Sequence, residues 1–469
     1  MIGQGRGHAV VVGGSIAGLT AARVLARHAE RVTIVERDRY PEQPEPRKGV
    51  PHGKHTHILL EGGLTALQRL LPDIDKDLLS AGAVPVATPA DWLQHTRGRW
   101  LGRWPAEATS LCLTRPLLEH EVRARVLAHP RITAVQGTDV VGLAGSATRV
   151  TGVLLRERGA DRRKGGKDGK DTAPAELAAD LVVDASGRSS HAPEWLESLG
   201  IGRPTHERVA SGIGYVTRVY RDGSNGELTD ATVVYFLGEA LLAPVDHQGT
   251  TMITFATPPG EELPTDPDAF EALADRLPHP LMRQWIDRAE PASPLFAYPR
   301  TENVRYDYAA VVPDGLLVTG DALCALNPVY GQGMTVAALA AEALDESLAA
   351  GRPHRAVQAA LHASSAQAWA IAAGADTARP GVKGNAVRRS LGDKLTSWYI
   401  KRVGQRGGVN KDVQTASRRV FGLSAPFTEL FRPAIVRSVL FQKSTPADAE
   451  APLWLTPAPT PAPAATEPK

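Results

Sequence analysis

Residues 8–36, HAVVVGGSIAGLTAARVLARHAERVTIVE, decide the fold of this chain. The apolar run His8–Val12 predicts a short buried strand, and Gly13–Gly18 predicts a tight turn that opens an Ala-rich helix. A second apolar strand follows and ends in Glu36, an acid placed to hold ribose hydroxyl groups. Ser15 stands where such turns usually carry their second glycine. The segment therefore predicts a dinucleotide-binding strand–turn–helix–strand unit.

A second element lies at residues 320–334, GDALCALNPVYGQGM, between an apolar strand-like run and an Ala/Leu-rich helix. The carboxylate of Asp321 can accept hydrogen bonds from polyol hydroxyls, and Gly331 and Gly333 let the backbone approach a flat ring. The helix start offers free N–H groups and a partial positive charge of roughly 0.5. Reduced flavin carries negative charge near N1 and C2=O, whereas an NAD site has little use for this element. We therefore predict a flavin site.

Composition agrees with a soluble enzyme, and we take a cytoplasmic location as the default expectation. The chain has 469 residues, enough for two or three domains, and a net charge of +2, which attracts neither nucleic acid nor membrane. Cys112 and Cys324 are far apart in sequence, which suits a reducing compartment. No apolar run reaches the 18 or so residues of a transmembrane span.

Four motifs occur in the order found in single-component FAD monooxygenases, the p-hydroxybenzoate hydroxylase and squalene epoxidase group. They are Gly13–Gly18, Arg115 within LTRPLLE, Asp184–Ser190 (DASGRSS) and Gly320–Met334, and the resemblance covers residues 8–350. The third motif is linked in this family to FAD and NAD(P)H, but it departs from the common Gly-Ala-Asp-Gly form.

The resemblance implies a role for each matching residue. Glu36 would bind the adenosine ribose, Arg115 would lie along the cofactor and Asp321 would hold the ribityl chain, with the Pro328–Met334 segment beside the isoalloxazine. The complete set of predicted cofactor-binding residues is Gly13, Gly14, Ser15, Ile16, Ala17, Gly18, Glu36, Arg37, Arg47, Arg115, Asp184, Gly187, Asp321, Pro328, Gly331, Gly333 and Met334.

We predict an α/β protein with a Rossmann-like FAD-binding domain of glutathione-reductase type, an inserted β-sheet substrate domain and a C-terminal helical region. Strands are expected at 211–220, 231–237, 239–245 and 250–257, and a helix at 266–289. Trp92, Trp100 and Trp104 would either line a hydrophobic cavity or pack the sheet. The predicted parts are FAD-binding segments 1–83, 105–191 and 300–351, substrate-domain strands in 84–104, a substrate-binding sheet at 192–299, a helical region at 352–444 and a disordered Pro/Ala-rich tail at 445–469.

Three histidines, His52, His55 and His57, lie within the segment Arg47–Gly63. No Cys or acid is at ligand spacing, so we predict no metal; histidines satisfied by hydrogen bonds in a packed loop are the alternative to a role beside the flavin. The segment resembles the Arg-x-Gly-Val-Pro…His-x-His-x-Leu…Gly stretch of bacterial epoxidases that act on polyketide polyenes in polyether biosynthesis. There it would run close to the flavin and the pyrophosphate.

The resemblance implies a reaction as well. NAD(P)H would reduce the FAD, O₂ would add at flavin C4a, and the hydroperoxide would transfer oxygen to an alkene of a hydrophobic polyene in polyether antibiotic biosynthesis. We predict no catalytic side chain. The alternatives are an aromatic hydroxylase of secondary metabolism, an alkene reductase like geranylgeranyl reductase, and a non-enzymatic lipid-binding escort protein. Flavin halogenases share the fold, but their Trp-x-Trp-x-Ile-Pro signature is absent.

The expected partner is a hydrophobic small molecule, a polyene or aromatic polyketide, with no nucleic acid and no stable membrane insertion. Between Lys383 and Arg437 twelve basic residues face three acids, with apolar residues at helical spacing. This pattern is typical of a solvated helical face, and contact with an acidic carrier protein or a loose membrane contact are the alternatives. The apolar runs 150–155 and 177–183 predict strands, and the polar run 157–174 between them predicts a solvated hairpin tip.

Overall fold

In the computed structural model of the chain, the residues described are 7–96, 99–105, 108–158, 173–221, 228–229, 231–299, 301–387 and 390–441. The predicted tail at 445–469 and most of the predicted hairpin tip at 157–174 lie outside these residues. The strands on either side of that tip do pair antiparallel, with Leu155 opposite Ala175.

A five-stranded parallel sheet forms the centre of the first domain. His8–Val12 lies in the middle, and every one of its residues is buried because helices cover both faces of the sheet. The carboxyl ends of all five strands meet at one edge. The strand order is Leu316–Val318, Leu181–Asp184, His8–Val12, Arg31–Glu36 and Ile132–Gln136.

The helix after the central strand runs from Ile16 to His28 and so begins three residues earlier than the sequence predicted. The tight turn is shorter because Gly18 belongs to the helix. A Cβ added at Gly18 would lie 1.8 Å from the carbonyl oxygen of Gly13, so only glycine lets the helix start this close to the strand end.

Other helices surround the parallel sheet. Gly333–Ala349 packs against Ile16–His28 and also contacts two further helices. The helices of this part of the chain are Ile16–His28, Glu61–Leu70, Ile74–Ser80, Arg115–Leu127, Ala192–Ser198, Gly333–Ala349, His354–Ser364 and Ala366–Thr377.

An eight-stranded sheet forms the second layer, above the carboxyl edge of the first. Trp92–Thr96 joins it by pairing parallel with Val233–Phe236, across 141 positions of sequence between Trp92 and Val233. Its strands are Glu290–Pro291, Gly214–Arg221, Thr251–Thr257, Ala240–Pro244, Val233–Phe236, Trp92–Thr96 and Arg99–Trp100, with Phe296–Tyr298 paired to Gly214–Arg221.

The single helix predicted over 266–289 is two helices, Pro267–Asp275 and Leu281–Ile286. Pro278 and Pro280 explain the break, because proline lacks a backbone N–H and clashes with the preceding turn. Both helices bury an apolar face against the eight-stranded sheet, in a core that contains Phe270 and Trp285.

Three small sheets connect these layers. Residues 177–183, predicted from their apolar run as one strand, divide between two sheets because the chain turns at Ala179–Asp180. The small sheets are Ala175–Ala178 with Val150–Glu157 and Thr138–Gly145; Thr205–Val209 with Asn303–Asp307 and Cys324–Ala325; and His57–Leu59 with Ala108–Leu113 and Val84–Thr88.

The C-terminal part of the described chain is helical and has its own small core, which includes Tyr399, Val413 and Val439. Its helices are Leu391–Gly407, Lys411–Phe421 and Pro433–Phe441. Among the residues described, no helix combines the length and the apolar character needed to cross a bilayer.

The close approach at Gly18 yields a stability prediction. Gly18→Ala should lower the free energy of unfolding by about 3 kcal/mol, because backbone lies where its Cβ would go. Urea denaturation measures the change.

Gly374→Ala is the matched control. This glycine is also helical, but it is exposed and has nothing within 4 Å of an added Cβ. The free energy of unfolding of the Gly374→Ala protein should rise by about 0.5–1 kcal/mol because alanine favours the helix. Equal effects of the two substitutions would contradict the packing explanation.

Candidate functional site

A cavity of about 1020 Å³ lies between the carboxyl edge of the parallel sheet and the eight-stranded sheet. Three of the parallel strands lead directly into it. Gly13 follows the central strand, Ala185 follows Leu181–Asp184, and Gly320 follows the strand at 316–318. At its other end Tyr215, Thr254 and Tyr298 belong to the eight-stranded sheet. One space therefore joins the two layers.

Fifteen of the seventeen predicted site residues line this cavity, although they come from segments far apart in sequence. Gly18 is not among them because it faces the Gly13 carbonyl, and Asp184 lies behind the wall. The lining members are Gly13, Gly14, Ser15, Ile16, Ala17, Glu36, Arg37, Arg47, Arg115, Gly187, Asp321, Pro328, Gly331, Gly333 and Met334.

Asp184 shapes the turn that does reach the cavity. Its fully buried carboxylate accepts hydrogen bonds from the Ser186 backbone N–H at 2.9 Å and from the Ser190 hydroxyl at 2.5 Å. Burial raises the pKa of this carboxyl. Asp184 thereby fixes the loop that presents Gly187, which has a left-handed φ of 83° and open space where a side chain would be.

Two helix N-termini point at the cavity without a side-chain cap. Ser15 precedes Ile16–His28 and Gln332 precedes Gly333–Ala349, and neither side chain accepts a bond from its helix. Neither helix has an acidic residue in its first turn. The free backbone N–H groups and the partial positive charge of each helix N-terminus favour the binding of an anionic group at both places.

A buried charge network joins the turn to the loop at residue 47. Glu119 accepts a bond from Arg47 Nε at 2.6 Å and lies 3.2 Å from Arg115 Nη2. Ser15 Oγ accepts from Arg115 at 2.6 Å and donates to Glu119 at 2.8 Å. Burial alone would raise the pKa of Glu119, but Arg115 and Arg47 hold it below its ordinary value. The carboxylate is therefore ionised and fixes both guanidinium groups.

Each of these arginines keeps one nitrogen without a hydrogen-bond partner. Nη1 of Arg115 and Nη2 of Arg47 are buried and unpaired, and both residues line the cavity. Buried donors without partners are costly, so a ligand with acceptor oxygens is expected beside them.

Glu36 lies where a ribose-binding acid was predicted, but it also has protein partners. Its carboxylate accepts from the N–H groups of Gly14 at 2.8 Å and Asp38 at 2.9 Å and lies 3.1 Å from Arg47 Nη1. The acid therefore also holds the glycine turn in place.

Asp321 lies at the opposite end of the same edge. Its carboxylate is 3.6 Å from Arg188 Nε, and Arg188 Nη1 also donates to the backbone oxygen of Glu302 at 3.0 Å. Burial raises the pKa of Asp321, while Arg188 and Arg115 oppose that rise.

A buried acid supports the loop that follows. Asp376 is fully buried and accepts from Asn303 at 2.7 Å, from Asn327 at 2.9 Å and from the Tyr330 hydroxyl at 2.7 Å. Pro328 follows Asn327 and Gly331 follows Tyr330 in the sequence, and both line the cavity. The helix Ala366–Thr377, which carries Asp376, thus sets the position of this wall.

The three histidines all line the cavity and are held in an uncharged form. Burial, followed by the neighbouring His57, lowers the pKa of His55 to about 3. Burial and Arg115 lower the pKa of His57 to about 4, and its Nδ1–H donates to the His55 carbonyl at 2.8 Å. Within the described ranges, no three His, Cys, Asp or Glu side chains are grouped as metal ligands would be.

The substrate-side end combines aromatic rings with hydroxyl groups. Tyr215 and Tyr298 stack with centroids 5.2 Å apart, and His55 meets Tyr215 edge-on at 4.7 Å. A hydrogen-bonded chain runs from His55 Nδ1 to Thr217 at 2.8 Å and from Thr217 to Thr254 at 2.7 Å.

None of the three tryptophans lines the cavity, so the cavity interpretation of these residues is wrong, and Trp92 and Trp100 pack in the sheet instead. Trp100 is buried 5.5 Å from the Phe236 ring, and Trp92 lies 6.1 Å from the Tyr235 ring. Burial of the large rings in the sheet core favours this placement.

The sequence did not identify Glu119, Arg188, Tyr215, Tyr298 or Asp376 as part of the site. Glu119 and Arg188 lie inside quoted motifs, so their charge beside a predicted ligand was an available signal. The tyrosines and Asp376 gave no local signal, because tertiary contacts alone bring them to the cavity.

The buried histidines predict acid sensitivity. In the unfolded chain a histidine has a pKa near 6.5, whereas that of His55 is about 3 in the folded protein. Below pH 6.5 the unfolded chain therefore binds the extra proton, and stability falls by about 1.4 kcal/mol per pH unit for this residue. His55→Gln should reduce the stability lost between pH 7 and pH 5 by about 2 kcal/mol in urea denaturation.

His247→Gln serves as the control, since this histidine is exposed and lies outside the cavity lining. The His247→Gln protein should lose as much stability between pH 7 and pH 5 as the unmodified protein does. A His55→Gln protein with an unchanged loss would show that His55 is not responsible.

Comparison with known proteins agrees with this geometry. The chain is 35% identical over 362 residues to Protein Rv3254 of Mycobacterium tuberculosis, which covers 74% of each chain. It is 32% identical over 192 residues, 38% of each chain, to 6-methylpretetramide 4-monooxygenase of Streptomyces rimosus. The solved structure of the flavin-dependent brominase Bmp2 has a TM-score of 0.63 at 17% identity, covering 92% of this chain and 97% of that one, which shows a shared fold.

The FAD binding domain family matches residues 7–377, a range that contains the glycine turn, the Arg115 motif and the Asp321 loop. The chain belongs to the FAD binding domain family.

Proposed function

We propose that the protein is an FAD-dependent monooxygenase that uses NAD(P)H and O₂ and acts on a hydrophobic, conjugated substrate. The observation that carries this proposal is the single cavity that runs from the glycine turn to the stacked Tyr215 and Tyr298. A cofactor held along the parallel sheet would meet a substrate held under the eight-stranded sheet in that space.

The residues present fit FAD. The unpaired nitrogens of Arg47 and Arg115 and the uncapped helix at Ile16 suit a diphosphate. Asp321 offers an acceptor for ribityl hydroxyls. The second uncapped helix, at Gly333, suits the negatively charged edge of a reduced flavin ring.

FAD supplies the oxygen-activating chemistry when it is bound, and the protein supplies position and shelter. The loop with Pro328 and Gly331 would border the ring, and Asp376 holds that loop through Asn327 and Tyr330. The eight-stranded sheet covers this end of the cavity and keeps water from the reacting atoms.

For the substrate we propose an alkene of a polyketide polyene. Flat aromatic rings suit a conjugated chain, and alkene epoxidation requires no side chain to remove a proton from the substrate. The uncharged His55 and His57 are consistent with that, since neither brings a full charge to an apolar ligand.

Hydroxylation of an aromatic polyketide is the second candidate, and one relative supports it. The partial match is to a 6-methylpretetramide 4-monooxygenase. The hydroxyl of Thr254, which lines the cavity, could also hydrogen-bond an oxygen of such a substrate.

Isotope labelling tests the function. Purified protein should show flavin absorbance, and with NADPH and ¹⁸O₂ it should add one labelled oxygen to a polyene substrate, seen as a shift in product mass. A parallel reaction with an aromatic polyketide identifies the second candidate. Reduced product without label would indicate an alkene reductase, and protein without flavin absorbance would contradict the enzyme proposal.

Asp321→Ala tests the cofactor site directly. Loss of a charge-assisted hydrogen bond costs about 1.5–3 kcal/mol, so the Kd for FAD should rise about 10- to 100-fold. Flavin fluorescence during titration of the apoprotein gives the Kd. Asp412→Asn, an exposed acid in a C-terminal helix, is the control and should bind FAD normally. An unchanged Kd in Asp321→Ala would contradict the assignment.

A further inference from the structure

The C-terminal helix Leu391–Gly407 turns an apolar stripe towards solvent. Leu391, Leu395 and Trp398 are 74%, 60% and 50% exposed, at the i, i+4 and i+7 spacing of one helix face. The same helix buries Tyr399 and Val403 against its own small core. The stripe is therefore a second apolar face that the described residues leave uncovered.

Two more exposed apolar side chains lie close to this helix. Phe431, 47% exposed, stacks on Tyr399 with centroids 5.0 Å apart. Arg402 lies over the Trp398 ring at 5.4 Å and donates to the Val439 carbonyl at 3.2 Å. Phe441, two residues after Val439 in the helix Pro433–Phe441, is 77% exposed. We call these five exposed side chains, Leu391, Leu395, Trp398, Phe431 and Phe441, the C-terminal apolar surface.

The segment of the chain that carries this surface is basic. Residues 390–441 contain nine basic and three acidic residues, a net charge of +6, whereas the whole chain carries +2. The rest of the chain is therefore negative by four charges. Lys394 and Lys401 lie exposed on the helix that carries the stripe.

The first turn of this helix is well formed although it has few packing partners. Ser390 and Asp393 form a reciprocal capping box, in which the Ser390 hydroxyl accepts from the Asp393 N–H at 3.2 Å and the Asp393 carboxylate accepts from the Ser390 N–H at 2.9 Å. The stripe is thus presented in helical form before any contact is made.

Charge decides which occupant fits. A second copy of the chain would bring two basic segments, each with a net charge of +6 over residues 390–441, together in a two-fold interface, so like charges would repel. An anionic occupant is favoured instead. Helices that lie in a membrane interface combine leucine, tryptophan and phenylalanine with lysine and arginine, as this segment does.

We propose that the C-terminal apolar surface docks the protein on an anionic lipid bilayer. The five apolar side chains enter the region between headgroups and acyl chains, and the surrounding lysines and arginines contact the anionic headgroups. The docking places the protein on the membrane surface and is independent of FAD and of catalysis.

Vesicle sedimentation of the full chain tests this docking. Protein should sediment with phosphatidylcholine vesicles that contain 30% phosphatidylglycerol and remain in solution with phosphatidylcholine alone. Raising the salt from 0.05 M to 0.5 M should weaken binding about tenfold or more, because screening reduces the attraction of the basic residues. Equal sedimentation with both vesicle types, or with neither, would overturn the proposal.

Substitutions locate the contact. The triple variant Leu391→Ser, Leu395→Ser, Trp398→Ser should bind anionic vesicles about tenfold more weakly or worse, while its circular dichroism and melting remain unchanged because all three side chains are exposed. The matched control is Leu79→Ser with Leu237→Ser, two exposed leucines outside the surface, which should bind normally. Equal binding by the triple variant would overturn the assignment to this face.

Two other occupants give distinct results. A dimer in sizing experiments that the triple variant abolishes, with no sedimentation on vesicles, would show a second copy and overturn the proposal. Capture of an acidic carrier protein by the unmodified chain, again without vesicle binding, would favour the carrier contact predicted from the sequence and would also overturn it.

Discussion

The close approach of a helix to a strand end is the constraint on which the rest of this structure depends. Gly18 lies against the carbonyl of Gly13, so the helix Ile16–His28 starts immediately beyond the central strand. Its free N–H groups then lie at the carboxyl edge of the sheet, where the neighbouring strands also end. A larger residue at 18 would move the helix away and remove both the turn and the positive end of the helix from the cavity.

Buried charge stabilises this edge and also leaves it incomplete. Glu119 pairs with Arg47, which lies in a loop, and with Arg115, the first residue of the helix Arg115–Leu127, and the three buried groups fix one another. The network still leaves one nitrogen of each arginine unpaired. Such a site is stable enough to form and has the donors that an anionic cofactor needs. Asp376 has a comparable role at the other end, where three neutral donors bind it below the loop at 328–330.

Local patterns predicted the parts of the fold that local physics controls. The parallel strands, the glycine turn, the uncapped helix at Gly333 and the fold class followed from short-range spacing, and the FAD binding domain family confirms the class. The single helix over 266–289 was wrong because two prolines interrupt it. The prediction of a single strand over 177–183 was wrong, because the run divides between two sheets. The position of the division depends on pairing partners that are distant in sequence.

The sequence by itself determined the strand–turn–helix unit, the acids at strand ends and the basic, apolar character of the C-terminal helices, because each depends on spacing within a few residues. Tertiary structure alone decided which side chains share a space. It brought Tyr215 and Tyr298 to the end of the cavity, placed Asp184 outside the cavity lining, and buried Trp92 and Trp100. It also turned Leu391, Leu395 and Trp398 outward, since helical spacing gives a helix two faces and packing chooses which one is covered.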